Sequence, residues 1–503
     1  MVDQFDVLKV LRNSFDNGTT RNLKFRRKQL SNLLRMVEEN MTDVVEALEA
    51  DSKKIHAEAV AEIEVFKNDA LHMLHNLDRL AKPRSVESNL VNILSKAELF
   101  PEPYGVVLVI GAWNYPLVLA LTPLLGAIAA GNCAVIKPSE LAPAVAQLIA
   151  DLLPQYLDKS CYTVFLGGPS ESHQLLQNRF DYIFYTGSTR VGAIVAQTAA
   201  KHFTPVTLEM GGKSPCFVDS SVDINIAAAR ILWGKAVNAG QACIAPDYLL
   251  CTQEIEKKFI EAFKKVQKEQ YGPNMKSSKD YCRIINKNHF NRLLSLLEGQ
   301  EVVHGGNHDV DQLYMDLTIC ANVNPDSPLM RDEIFGPILP IVRVRDAFEA
   351  VSFINSKEKP LALYVFSNKK SVVDLFIERT SSGGVCVNDT MMHFSCDTLP
   401  FGGVGYSGLG AYHGDLTFHT FSHPKPVLKQ PMNMCHEALM NLRYAPYNDM
   451  KIKMVTLLMK KRRTFFSKQF FLYLMFTLFG CLITYVIMEY GKSIESAFLS
   501  LFK

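Results

Sequence analysis

Apolar and polar positions follow two rhythms along this chain. Residues 20–82 carry helically spaced stretches rich in Leu, Glu, Lys and Arg, broken at Lys82-Pro83. From Gly105 onward, short apolar runs alternate with longer helical ones. VVLVIG (106–111), NCAVIKP (132–138), YTVFLGG (162–168) and YIFYTG (182–187) read as strands. PLVLALTPLLGAIAAG (116–131), PAVAQLIADLLP (143–154), the stretch around SHQLLQN (172–178) and VGAIVAQTAAKH (191–202) read as helices. Wholly apolar strands between such helices are the pattern of parallel βαβ units, in which helices cover both sheet faces. The fold class is therefore α/β, beginning with a doubly wound parallel-sheet domain. A second α/β series begins near Lys213, with SPCFVD (214–219), a helix over 223–238 and a strand at 248–251. It continues with a helix over 254–269 and strands LPIVRV (339–344) and GGVCVN (383–388).

The pattern changes again near the carboxyl end. Residues 470–488 (FFLYLMFTLFGCLITYVIM) form an uncharged run of 19 residues. As a helix it would cover about 28 Å, close to the hydrocarbon thickness of a bilayer. Lys460-Lys461-Arg462-Arg463 and Lys468 precede it, whereas only Lys492 and Lys503 follow. The positive-inside rule keeps the large amino-terminal part in the cytoplasm and sends residues 489–503 across, a tail-anchored topology. Residues 449–468 read as a basic amphipathic segment, with Ile452, Val455, Leu458 and Met459 on one side of a helix over 449–461. Such a helix lies at a lipid surface or docks on the globular body, and both readings stay open.

Composition narrows the function classes. The chain of 503 residues is 48% hydrophobic and 21% charged, enough for a large core and about three domains. Its 53 Lys and Arg against 51 Asp and Glu leave a net charge of +2, which argues against nucleic acid as a partner. The 11 cysteines are scattered without a C-x-x-C pair, so neither a disulfide framework nor a metal site is expected. They read as reduced thiols, most of them core fillers. The amino terminus carries Asp3 and Asp6 and no long apolar stretch, unlike a secretory signal or a mitochondrial presequence.

Five places carry candidate chemistry. Thr186-Gly187-Ser188-Thr189-Arg190-Val191-Gly192 joins a strand to a helix, where free N–H groups attract phosphate, although the central glycine of G-x-G-x-x-G is missing. Lys137-Pro138-Ser139-Glu140 ends a strand, the edge at which open α/β sheets bind ligands. Cys243 stands among small residues in GQACIAP, a setting for a nucleophilic thiol. Glu209, 34 residues earlier and beside Gly211-Gly212, is a candidate general base. Asn114 in WNYP, a neutral donor suited to an oxyanion, is joined as a candidate by the Glu333-Ile334-Phe335-Gly336-Pro337 stretch. Each alone is as often, and mostly more often, an ordinary turn, surface acid or core cysteine.

Together they are more specific. AWNYP (112–116), KPSE (137–140), YTGSTRVG (185–192), LEMGGKSP (208–215), GQACIAPDY (240–248), EIFGP (333–337) and PFGGVGYSGLG (400–410) stand in one order. On these motifs residues 1–425 resemble the aldehyde dehydrogenase superfamily, in its class 3 branch. With the hydrophobic tail, the resemblance extends to the membrane-bound fatty aldehyde dehydrogenases.

The resemblance implies catalysis by Cys243, with Asn114 holding an oxyanion and Glu209 as general base. Glu333 is its rival in this branch and otherwise a contact to the nicotinamide ribose. It further implies cofactor contacts at Lys137, Glu140, Gly187, Ser188, Thr189, Arg190, Val191, Gly192, Glu333 and Phe335. NAD is the expected cofactor, with NADP possible, because Glu140 near a ribose would repel a 2′-phosphate. The implied architecture is an NAD-binding domain (1–210), a catalytic domain (211–414), and a small bridging element built from extended segments near 84–104 and 415–430 within 415–445. It supports a homodimer. The implied substrate is a medium- to long-chain aliphatic aldehyde and the implied place the cytoplasmic face of the endoplasmic reticulum, or else the peroxisomal membrane. Two competing readings, an acyl-CoA reductase and a silent membrane scaffold, are disfavoured by Glu209 and by the joint presence of Cys243, Glu209 and Asn114.

Overall fold

The computed structural model describes residues 4–92, 94–459, 473–485 and 488. Contacts divide the chain into two compact units: residues 1–84 with 99–425, and residues 85–98 with 426–503.

Among the described residues the larger unit holds two large sheets and a two-stranded ribbon of His308–Asp309 with Tyr314–Met315. In the first, the strands run in the order Gly408–Leu409, Val206–Glu209, Tyr182–Thr186, Val106–Ile110, Cys133–Lys137, Tyr162–Val164. All pair in parallel except Gly408–Leu409. The central strands are buried on both faces, as their unbroken apolar runs require. In the second sheet the order is Val302–His304, Thr318–Cys320, Ile338–Arg343, Tyr248–Cys251, Pro215–Val218, Ala362–Phe366, Gly384–Val387, with only Val302–His304 antiparallel. The strands 302–304, 318–320 and 362–366 come in addition to those expected from the apolar pattern.

Helix Pro116–Ala130 shows how the core is closed. It opens with Pro116, whose fixed φ suits a first helical turn, and ends at Gly131 with φ 95°. All but one of its side chains are buried, because it packs against helices Leu23–Glu39 and His56–Leu80 as well as against the sheet. Arg26 closes its far end, donating to the carbonyls of Thr20 (2.6 Å) and Ala129 (3.1 Å). Asn132 accepts from Gly105 N–H (3.0 Å) and donates to the carbonyl of Phe421 (2.9 Å). Helix Asp415–Thr420 also packs on it, so the first part of the segment expected to be extended is helical.

In the smaller unit, Glu98 pairs with Lys96 (2.6 Å) and Lys429 (3.0 Å). Helix Asp449–Met459 lies beside the turn Leu90–Asn92, and Lys451 donates to the carbonyl of Tyr444 (3.0 Å). Its apolar residues are not confined to one side as expected. Val455 and Leu458 are half-buried, while Met450, Ile452, Met454, Leu457 and Met459 are exposed. Residues 460–468 of the amphipathic segment lie outside the described residues. So do 470–472 and 486–487 of the expected membrane span, whereas 473–485 are helical and exposed. Among the described residues, no helix is long and apolar enough to cross a membrane.

A Cβ at Gly126 would sit 2.6 Å from the carbonyl oxygen of Thr417 and 2.8 Å from the ring of Phe421. Gly126→Val should therefore force helix 415–420 away and destabilise by about 1–3 kcal/mol. A melting temperature equal to that of the parent would contradict this packing.

Candidate active site

The parallel register brings four of the five candidate segments to one edge. Ile110 pairs with Lys137 and with Tyr185, and Thr186 pairs with Glu209. The turns after these strands, carrying Asn114, Glu140, Gly187–Gly192 and Gly211-Gly212, therefore emerge together at the carboxyl end of the first sheet, where open α/β sheets receive ligands. Lys137 is buried and forms an ion pair with the exposed Glu140 (2.5 Å). The Ser188 hydroxyl caps helix Thr189–Ala200 by accepting from Val191 N–H (3.4 Å), and Thr189 donates to the carbonyl of Tyr406 (3.2 Å). Gly192 is buried, whereas Arg190 is exposed.

Cys243 comes from the other sheet, on the turn that enters strand Tyr248–Cys251. Helix Ile224–Ala236 ends just upstream, and Asn238 (φ 50°), Ala239 (φ 52°) and Gly240 (φ 73°) follow in left-handed conformation. Only glycine takes that conformation without strain, so the run has to be held. Asn238 donates its side-chain amide to the carbonyls of Asn114 and Gln241, both at 3.0 Å, tying this turn to the first sheet. Gln241 donates to the carbonyls of Asn238 (2.9 Å) and Arg283 (3.0 Å). The Tyr364 hydroxyl donates to the carbonyl of Ile244. Cys243 is half-buried, and the backbone N–H dipoles of Cys243 and Ile244 lie near enough to its sulfur to favour the thiolate. Desolvation, then the negative charge of Glu333 and of Glu209, push the thiol up to about 12.

The two carboxyl groups differ. Glu209 is buried with neither oxygen hydrogen-bonded, and desolvation alone raises it well above the ordinary carboxylate range. The neighbouring Thr186 hydroxyl is also buried without a partner. Glu333 is raised to about 8 by desolvation and then by Asp247, against the Gly212 N–H, Lys213 and Lys235. A Cβ at Gly211 would strike the Glu333 carboxylate, so the glycine is what lets the two loops meet. Asp247 is shared between Lys213 (2.5 Å) and the N–H of Ile334 (3.0 Å), which fixes the Glu333 loop. Phe335 (φ 49°) meets Trp113 edge-on, with centroids 5.2 Å apart.

Three features were not apparent from single motifs. Lys235 is buried with no hydrogen-bond partner and is lowered to about 8 by desolvation, within electrostatic reach of Asp247 and Glu333. Asn238 bridges the two halves of the site. Helix His56–Leu80 supplies Glu58 and Glu62 to the same loops. Their only sequence signal is acidic residues four apart on a helix with an apolar face, which many surface helices share. Among the described residues no cluster of His, Cys, Asp and Glu is arranged to hold a metal ion.

The residues at this edge fit the phosphate groups of a nucleotide. The sheet edge combines a helix N-terminus with a buried lysine, and unpartnered polar atoms at Thr186 and Glu209 face the same end of the strands.

Comparison with known proteins places the whole fold among related chains. Residues 8–427 match the pattern of the "Aldehyde dehydrogenase family". Aldehyde dehydrogenase family 3 member A2 of Rattus norvegicus is 50% identical over 443 residues, covering 88% of this chain and 91% of that protein. The "Aldehyde dehydrogenase, dimeric NADP-preferring" of the same organism is 48% identical over 448 residues, covering 88% and 97%. Among solved structures, the substrate-bound state of Staphylococcus aureus AldH superposes with a TM-score of 0.88 at 40% identity, covering 92% of this chain and all of that one.

Two measurements follow from the charges. The folded chain holds the Glu209 proton above the ordinary value of 4.5, so that part of its stability is present below this value and lost as pH rises toward the raised one. Glu209→Gln removes the dependence, and its melting temperature should gain on the parent between pH 5 and pH 8; a constant gap would contradict the burial. Above Glu333's value of about 8, its carboxylate opposes thiolate formation at Cys243. Glu333→Gln should therefore speed iodoacetamide alkylation of Cys243 at pH 9 by about 3- to 10-fold. Slower alkylation would make Glu333 the base that activates the thiol.

Proposed function

The chain belongs to the aldehyde dehydrogenase family, and from that membership we propose that it oxidises medium- to long-chain aliphatic aldehydes to carboxylic acids with NAD. The observation that carries this reading is the half-buried Cys243 sulfur, with the carboxyl groups of Glu333 and Glu209 in electrostatic reach.

The Cys243 sulfur adds to the aldehyde carbonyl carbon as its proton leaves, forming a thiohemiacetal. The Asn114 amide and the Cys243 N–H donate to the oxygen as it becomes anionic, the arrangement that stabilises charge in a poorly hydrated site. A bound nicotinamide ring supplies the hydride acceptor. The acyl group then remains on Cys243 as a thioester. Glu209 takes a proton from water, the oxygen bonds to the acyl carbon, and the C–S bond breaks to return the thiol. Its untethered carboxyl, raised above the ordinary carboxylate range by desolvation, holds a proton more tightly than a solvated one, as a general base accepting from water must. Glu333 is the second candidate for that step.

Cofactor contacts belong to the part spanning 1–210, the nucleophile to 211–414. Lys137, Glu140 and the Gly187–Gly192 turn, with Ser188, Thr189, Arg190 and Val191, would hold the dinucleotide, joined by Glu333 and Phe335 from the other sheet. The exposed Glu140 carboxylate favours NAD, and its pairing with Lys137 softens the discrimination against NADP. A homodimer through the bridging segments suits the fold, and a related protein is dimeric by name. The apolar run 470–488, helical and exposed where described, would anchor the enzyme on the cytosolic side of a membrane, where long-chain aldehydes partition at about 0.8 kcal/mol per CH₂.

Purified full-length protein on vesicles carrying hexadecanal should produce NADH from NAD. Cys243→Ser should lower the rate at least ~10³-fold. A form ending at residue 448 should keep its rate on short aldehydes and lose it on vesicle-borne hexadecanal. An active Cys243→Ser enzyme would refute the nucleophile, and equal rates of both lengths on vesicles would refute the anchor.

A further inference from the structure

The left-handed run 238–240 lies immediately before the nucleophile, and the first helical turn of His56–Leu80 meets it. Glu58 accepts the Asn238 N–H at both carboxylate oxygens (3.0 and 3.2 Å). It also accepts the thiol hydrogen of buried Cys282 (3.0 Å), so the carboxylate is held from two sides. Desolvation raises Glu58, while the Cys282 thiol, the Lys54 ammonium and the Asn238 N–H work against it.

One helical turn on, Glu62 serves the opposite wall. It accepts from the N–H groups of Leu117 (2.9 Å) and Val118 (3.3 Å), and it pairs with Lys54 at 2.5 Å with both side chains fully buried. Lys54 donates to the carbonyl of Asn114 (3.1 Å), the same oxygen that receives the Asn238 amide (3.0 Å). The Asn114 backbone is therefore pinned by Lys54 and Glu62, and the turn before Cys243 is pinned by Glu58. Residues four apart share one face of a helix, so a single rigid element references both walls.

We propose that Glu58 is a positioning residue: it holds the strained turn at 238–240 and, through the Asn238 bridge, sets the distance between Cys243 and the oxyanion-binding Asn114. This rests on the roles given above to Cys243 and Asn114. A carboxylate that only stabilised the fold would have no reason to act on the one turn joining the nucleophile to the oxyanion donor. Misplacement by about 1 Å costs as much as 10²-fold in rate, because the reacting atoms must meet aligned.

The test uses full-length enzyme with decanal and NAD, and in parallel the alkylation of Cys243 by iodoacetamide, which needs the thiol but not Asn114. Glu58→Ala should lower kcat about 10- to 100-fold while KM for NAD stays within about twofold and Cys243 alkylation within about threefold. Glu58→Gln, which still accepts the Asn238 N–H, should recover kcat to within about threefold of the parent. Asn238→Gly keeps that N–H and adopts φ 50° without strain but loses the bridge; it should fold normally and lose about tenfold in kcat. The proposal is overturned by parent-like kcat in Asn238→Gly, by Glu58→Gln no better than Glu58→Ala, or by alkylation falling in step with kcat. If Glu58→Ala does not fold, the other two variants decide. A parent enzyme that alkylates but does not oxidise decanal would instead overturn the function proposed above.

Discussion

A thiol and two carboxyl groups share one poorly hydrated space, and burial makes each of them harder to ionise. Cys243 is pushed up first by desolvation and then by Glu333 and Glu209. Glu333 is pushed up by desolvation and by Asp247, and Glu209 by desolvation alone. Among the described residues no cation is placed against Glu209 to cancel this, and Lys235 is itself lowered by burial, against the pull of Asp247 and Glu333. The surrounding fold must hold such a site together against its own charges. It does so with backbone dipoles: the Ile334 N–H donated to Asp247 behind Glu333, and N–H groups near the sulfur and near Glu333 that favour their charged forms. Dipoles of this kind stabilise charge that develops during a reaction without fixing it in the resting protein.

The framework of this site was legible in the sequence wherever it depended on local pattern. The strands at 106–110, 133–137 and 182–186 are uninterrupted apolar runs, and their parallel pairing carries Asn114, Lys137, Glu140, Gly187 and Glu209 to one edge. Cys243 stood out by its small neighbours. What could not be read were the pairings made across long sequence separations. Glu58 with Asn238, Asn238 with Asn114, and Lys54 with Asn114 join residues 180, 124 and 60 positions apart. No periodicity records such bonds. Helix 415–420 stands where an extended segment is expected, because Phe418 and Thr417 are held by tertiary burial under helix 116–130 rather than by a strong helical repeat.

The smaller unit follows another logic. Helix Asp449–Met459 has no buried residue, and five of its apolar side chains are exposed. The described part of the tail, 473–485, continues in the same manner with Tyr473, Phe476, Phe479 and Tyr485 all exposed. An apolar surface of this extent is normally covered by lipid or by protein. The larger unit, by contrast, buries most of its aliphatic strand residues and the ion pair Lys54–Glu62.

Asn238 and Ala239 keep backbone angles that cost of order 1–2 kcal/mol each compared with glycine. An effort to toughen this protein against heat would find those positions early, since relaxing an unfavourable turn is among the simplest ways to raise a melting point. It would thereby slacken the one stretch of chain that must not drift. Hardening is better sought at a distance, on the outward faces of the helices, where sturdiness and turnover do not compete for the same few bonds.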